Sequence, residues 1–100
     1  MIAAFSVAPV VTNNPNAEMS EAVSRAVRVV RESGLPHETT SMFTTVEGEW
    51  DEVMDVIKRA TEAVEAVSPR VSLVIKADIR PGHTDMLHQK MASLEKHFDK

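Results

Sequence analysis

One hundred residues suffice for one hydrophobic core and not for two, so a functional site has to share the fold's own packing, and one domain over 1–100 is expected. Fifteen acidic residues interleaved with eleven basic ones leave a net charge of -4 and no continuous positive surface for phosphates, which argues against a nucleic-acid partner. The absence of cysteine excludes disulfides, thiolate metal sites and thiol nucleophiles and suits a reducing interior.

The apolar opening from Ile2 to Val10 has no basic leader and is too short to span a bilayer, so it reads as a buried strand in a cytoplasmic protein without a membrane partner. Pro9 marks its end. Turn chemistry in "TNNPNA" precedes a helical stripe of Met19, Ala22, Val23, Ala26, Val27 and Val30; either Ser20 caps this helix or Asn14 and Pro15 start it earlier. Gly34, Leu35 and Pro36 stop it.

Residues 37–47, "HETTSMFTTVE", are rich in threonine and lack a helical stripe, which predicts two short strands meeting near Met42 and Phe43. After Gly48, a second stripe runs through Trp50, Val53, Met54, Ile57, Ala60, Val64 and Val67. Asp51, Glu52 and Asp55 come early and Lys58 and Arg59 late, the order that suits a helix dipole and an Asp55 to Arg59 pair. Ser68 and Pro69 end this helix. "RVSLVIKADI" then alternates, with Val71, Leu73, Ile75, Ala77 and Ile79 on one face and Ser72, Val74, Lys76 and Asp78 on the other. Past the turn "RPGHTD", where Thr84 or Asp85 can cap, a weaker helix from Met86 to Phe98 carries Leu87, Met91, Leu94 and Phe98.

Strand, helix, strand, strand, helix, strand is the split β-α-β unit repeated, an α+β ferredoxin-like βαββαβ antiparallel sheet with an additional C-terminal helix. One face of such a sheet packs on its helices. The other would carry Ala4 and Ala8 around Ser6, and Val74 between Ser72 and Lys76, a mixture better suited to a neighbouring subunit than to water, so a homo-oligomer is expected.

Ser6, Thr44, Thr45, Glu47, Lys76 and Asp78 fall on the strands or at their ends. In a purely structural reading Lys76 pairs with Glu47 or Asp78 and the hydroxyls bond locally. In a functional one, subunit packing buries these groups around a small heterocycle, with hydroxyls and carboxylates meeting its nitrogens. Trp50 reads first as the opening core residue of its helix and second as a stacking wall. The acids around it need no catalytic role at a helix start. The four histidines include no i,i+4 pair, so no metal site is expected. Nucleophile-elbow, dinucleotide and phosphate-loop motifs are all missing, which gives no catalytic residue to name and no cofactor to expect.

The stretches "MIAAFSVAPV", "ESGLPHETTSMFTTVEGEWDEVMDVIKRA" and "RVSLVIKADIR" resemble the thiamine-binding, YkoF-like family, most distinctively in the EGEWDEV run at 47–53. The resemblance implies a ferredoxin-like domain assembled through sheet faces into dimers or tetramers. It also implies non-enzymatic binding of thiamine or its hydroxymethylpyrimidine part. Thr44, Glu47, Gly48, Trp50, Lys76 and Asp78 match family-like positions, and Ser6 lies in the matching first strand. The ligand-binding residues expected on this basis are Ser6, Thr44, Glu47, Trp50, Lys76 and Asp78. Two departures stand out: the connection "VVTNNPNAE" is long, and Phe43 replaces a smaller residue. The alternative class is a structural or regulatory oligomerisation module without a small-molecule ligand, and a weaker third is an enzyme using Glu47 with Lys76.

Overall fold

The computed structural model describes residues 1–10 and 15–98, apart from the side chains of 15–19. Seven elements follow in the order β1 (Ile2–Pro9), α1 (Pro15–Glu32), β2 (His37–Thr39), β3 (Thr44–Glu47), α2 (Trp50–Glu65), β4 (Val71–Asp78) and α3 (Met86–Phe98). The strands form one antiparallel sheet in the order β2-β3-β1-β4. This is the ferredoxin-like arrangement, with α3 added to it. The first helix starts at Pro15, the earlier of the two expected positions. Asn14 and the rest of 11–14, in the long first connection, lie outside the described residues.

Alternation along β1 decides which side of the sheet becomes the core. Ala3, Phe5 and Val7 are buried with Ala22, Ala26 and Val30 of α1 and Val53, Val56, Ile57, Ala60 and Val64 of α2. Val46 joins them from β3. The α2 stripe is therefore largely where its spacing put it, as are Ala22, Ala26 and Val30 of the α1 stripe, while the side chain of Met19 lies outside the described residues. Three positions differ. Val23 is exposed on α1, Val56 is buried though outside the expected α2 stripe, and Trp50 is 54% exposed instead of opening the core. Trp50 is the first residue of α2, and its exposed side chain lines a recess with Met1 and Ile79 to His83, residues that lie just outside β1 and β4.

The chain ends of the helices follow local chemistry. Gly34, two residues past α1, has φ +78, a conformation that costs an L side chain about 1 kcal/mol or more. At the start of α2 the Glu49 N–H donates to Glu52 Oε1 at 3.0 Å, satisfying a donor the helix cannot. Asp55 accepts from Arg59 Nε at 2.9 Å, the expected i,i+4 pair. Strand β4 is an edge. Its helix-side residues Leu73 and Ile75 pair with Val7 and Phe5, yet α2 covers them incompletely and both stay exposed.

Candidate functional site: the open face of the sheet

Opposed residues in an antiparallel pair point to the same side, so register lays out the face away from α1 and α2 in rows about 7 Å apart. The first row is Glu47, Ile2 and Asp78. The second, crossing all four strands, is Glu38, Thr45, Ala4 and Lys76. Ser6 with Val74 and Ala8 with Ser72 complete the face, because β3 is too short to pair with this end of β1. Methyl and hydroxymethyl groups thus run down the centre between longer side chains on the flanks.

Only the first row is covered. Ile2 is buried with Met86 and Leu87 of α3. The Glu47 carboxylate, itself buried, accepts the N–H groups of Met86 at 2.7 Å and Leu87 at 3.1 Å. A negative charge meets the positive end of a helix there, and two donors that the helix cannot satisfy are satisfied. Asp85 holds the expected N-cap position, its C=O accepting from the Gln89 N–H at 3.0 Å, but the side-chain capping comes from Glu47. Asp85, at φ 56, instead turns its carboxylate to His88 Nδ1 at 2.8 Å, which raises the His88 pKa. Asp78 accepts a hydrogen bond from Lys90 of α3, and chiefly for that reason its carboxyl is held below its ordinary value.

Glu47 and Asp78 therefore share the open face with Ser6 and Lys76, but both are engaged by α3. Lys76 pairs with neither of them, and among the described residues it makes no ion pair. Thr44 stands opposite Phe5 on the helix side, where it is buried beside Thr39; the structure does not bring it to the other candidates. Trp50 is also apart from them, in a recess of about 180 Å³ with Met1, Ile79 and His83. Phe43 lines a cleft of about 130 Å³ between α1 and β1, on the helix side of the hairpin. Glu38 was not anticipated. Its place beside Thr45 follows only from the hairpin register, which a strand of three residues, His37, Glu38 and Thr39, does not announce.

Chemically, the second and third rows offer hydroxyls from Thr45 and Ser6, a carboxylate from Glu38 and an ammonium from Lys76 around a floor of Ala4. A flat ring can lie against such a floor while its nitrogens meet donors and acceptors at the rim. No group of three or more His, Cys, Asp or Glu suited to a metal ion occurs among the described residues, and no helix among them is long and apolar enough to cross a membrane.

Residues 3–95 match the model of a family described as thiamine-binding protein. The chain belongs to the thiamine-binding protein family. A UPF0045 protein of Mycobacterium bovis is 51% identical over 99 residues, covering 98% of this chain and 94% of its relative. Among solved structures, a hypothetical protein of Methanocaldococcus jannaschii superposes with a TM-score of 0.83 at 26% identity, covering 95% of each chain. A Thermotoga maritima protein assigned provisionally to thiamine biosynthesis or salvage gives a TM-score of 0.77 at 26% identity, covering 93% of this chain and 96% of that one. Family membership thus agrees with the resemblance carried by the EGEWDEV run, and the shared fold extends to α3.

Proposed function

We propose that this protein is a cytoplasmic, homo-oligomeric, non-enzymatic binder of thiamine or a related hydroxymethylpyrimidine, and that it holds the ligand on the open face of its sheet. The observation that carries this reading is the second cross-sheet row, Glu38, Thr45, Ala4 and Lys76, in a chain of the thiamine-binding family. Ser6 and Thr45 offer hydroxyls to the ring nitrogens and amino group of a pyrimidine. Glu38 supplies the charge that a thiazolium cation would need, and Lys76 is a hydrogen-bond donor. Glu47 and Asp78 act at one remove by fixing α3 at the edge of this surface. Thr44 and Trp50 serve packing and the end of the sheet, respectively.

Calorimetric titration with thiamine and with hydroxymethylpyrimidine tests the reading. Saturable heat is expected with the native chain, and at least a tenfold weaker association in Ser6→Ala and Lys76→Met. No heat and no thermal shift at millimolar concentrations of either compound would remove it and leave the purely structural oligomerisation module. Turnover of a pyrimidine compound, abolished by Glu47→Gln, would replace it with an enzyme.

A further inference from the structure

On the helix side of the sheet, the β2-β3 hairpin leaves a gap. Pairing between β3 and β1 stops at Thr44 and Phe5, and the turn beyond is closed by the Thr40 N–H and hydroxyl, which donate to the Phe43 C=O at 2.9 and 3.0 Å. Among the described residues, the edge of β1 from Ser6 to Ala8 therefore has no strand on that side. Over this gap α1 carries only Val23, Ala26 and Val27, and the cleft of about 130 Å³ remains between helix and hairpin. Its floor is apolar, because Phe5, Val7 and Ala26 are buried there, and Met42 and Phe43 stand on the hairpin side.

Val23 and Val27 also line a second, open recess of about 530 Å³ along the flank of α1, so the two spaces adjoin. The remaining lining of this recess is Ser20, Ser24, Arg28 and Arg31, which helical spacing brings to one side. Arg25, on the same helix, is held by Glu21 at 3.1 Å, whereas Arg28 and Arg31 make no ion pair among the described residues. Two guanidiniums thus stand uncompensated in a chain of net charge -4. A merely solvated helix face accounts for the arginines. It does not account for Val23, 42% exposed beside them, or for the cleft behind it.

We infer that this groove binds a small amphiphilic oxyanion, whose ring or short apolar chain enters the cleft beside Phe43 and whose phosphate or carboxylate lies against Arg28 and Arg31. The larger recess falls within the roughly 300–1,000 Å³ of small-molecule sites, and the cleft beside it takes one ring, which favours a small ligand over a peptide. Planar guanidinium forks match the paired oxygens of phosphate and carboxylate. The Ser24 hydroxyl already donates to the Glu21 C=O at 2.7 Å, so the arginines carry the recognition of charge. No carboxylate lines either space among the described residues, and a cation gains nothing there. The groove is therefore distinct from the open face in position and in the sign of its ligand, and it does not depend on the function proposed above.

Nuclear magnetic resonance titration of the full chain with phenyl phosphate and with phenylacetate tests the inference and tells the two head groups apart. At least one of them should give saturable shifts at the amides of Val23, Val27 and Phe43 at millimolar concentration or below. Inorganic phosphate lacks the apolar body and benzyl alcohol the charge, so each should bind about tenfold more weakly, and the cation benzylamine should not bind. Arg28→Gln combined with Arg31→Gln changes only exposed positions and should weaken the anion about tenfold with an unchanged unfolding midpoint. Val27→Phe narrows the cleft and should weaken phenyl phosphate while leaving inorganic phosphate as it was. An excess of thiamine should leave the titration unchanged. No saturable shift with either anion, full affinity in the double arginine variant, or shifts at Ala4 and Lys76 in place of those at Val27 and Phe43 would overturn the inference. So would displacement by thiamine, which would put both ligands on one surface, or tighter binding of N-acetyl-Asp-Leu-Asp-amide, which would make the groove a peptide site.

Discussion

Glu47 at the end of β3 and Met86 at the start of α3, 39 residues apart, are joined by a 2.7 Å hydrogen bond from the Met86 N–H to the Glu47 carboxylate. The second oxygen accepts from Leu87, so one side chain holds the first turn of the C-terminal helix. Charge-assisted hydrogen bonds of this kind exceed neutral ones, and unsatisfied buried donors cost about 1–3 kcal/mol each.

Replacing Glu47 should therefore act on α3 before it acts on the sheet. Glu47→Ala is expected to destabilise the fold by about 2 kcal/mol in urea unfolding, and Glu47→Gln by less, because the amide keeps one acceptor. Hydrogen exchange at Met86 and Leu87 should accelerate far more than at Val46. Equal acceleration at all three would show that α3 does not depend on this residue.

The ion pair between Asp78 and Lys90 gives the same helix a pH dependence. Hydrogen bonding from Lys90 lowers the Asp78 pKa below its ordinary 3.8, so the folded state binds this proton less readily than the unfolded chain. The pair contributes stability above pH 3.8 and loses it as pH falls through the lower folded value. Acid unfolding of Lys90→Met should begin at higher pH than that of the native chain, and added salt should narrow the difference, since the pair is exposed.

His88 works in the opposite direction. The hydrogen bond to Asp85, followed by that residue's charge, raises the His88 pKa above 6.5. Its stabilisation is complete below pH 6.5 and disappears as pH rises through the folded value. Nuclear magnetic resonance titration of the His88 ring should show a midpoint above 6.5 that moves down in Asp85→Asn. An unmoved midpoint would break the assignment to Asp85.

Two residues of α2 should separate core from surface. Trp50→Ala, at an exposed position, is expected to cost less than about 1 kcal/mol, whereas Ile57→Ala, in the core, should cost about 2–5 kcal/mol. The native emission spectrum should be that of a water-exposed indole, and Trp50→Phe should leave thiamine affinity unchanged if the ligand lies on the open face. A large loss of affinity in that variant would move the site to the end of the sheet.

The pattern of residues determined most of the elements, because local periodicity reports which side of a helix or strand is apolar without knowing what it meets. Phe5 and Val7 alternate with Ser6 and Ala8 in any environment, Gly34 stops a helix wherever it stands, and the EGEWDEV run points to the family by its order alone. Tertiary structure decided which candidates share a place. Thr44 and Thr45 are neighbours in the chain, yet register sends one to the core beside Thr39 and the other to the open face beside Glu38. Trp50 starts an apolar stripe, but packing leaves it exposed in a recess with Met1 and Ile79. Glu47 and Asp78 read equally well as ligand contacts or as structural charges, and their commitment to α3 depends on an approach across 39 residues for one and 12 for the other. Periodicity is local; burial, pairing and the placement of charge depend on which distant backbone arrives, and that is settled only when the chain is folded.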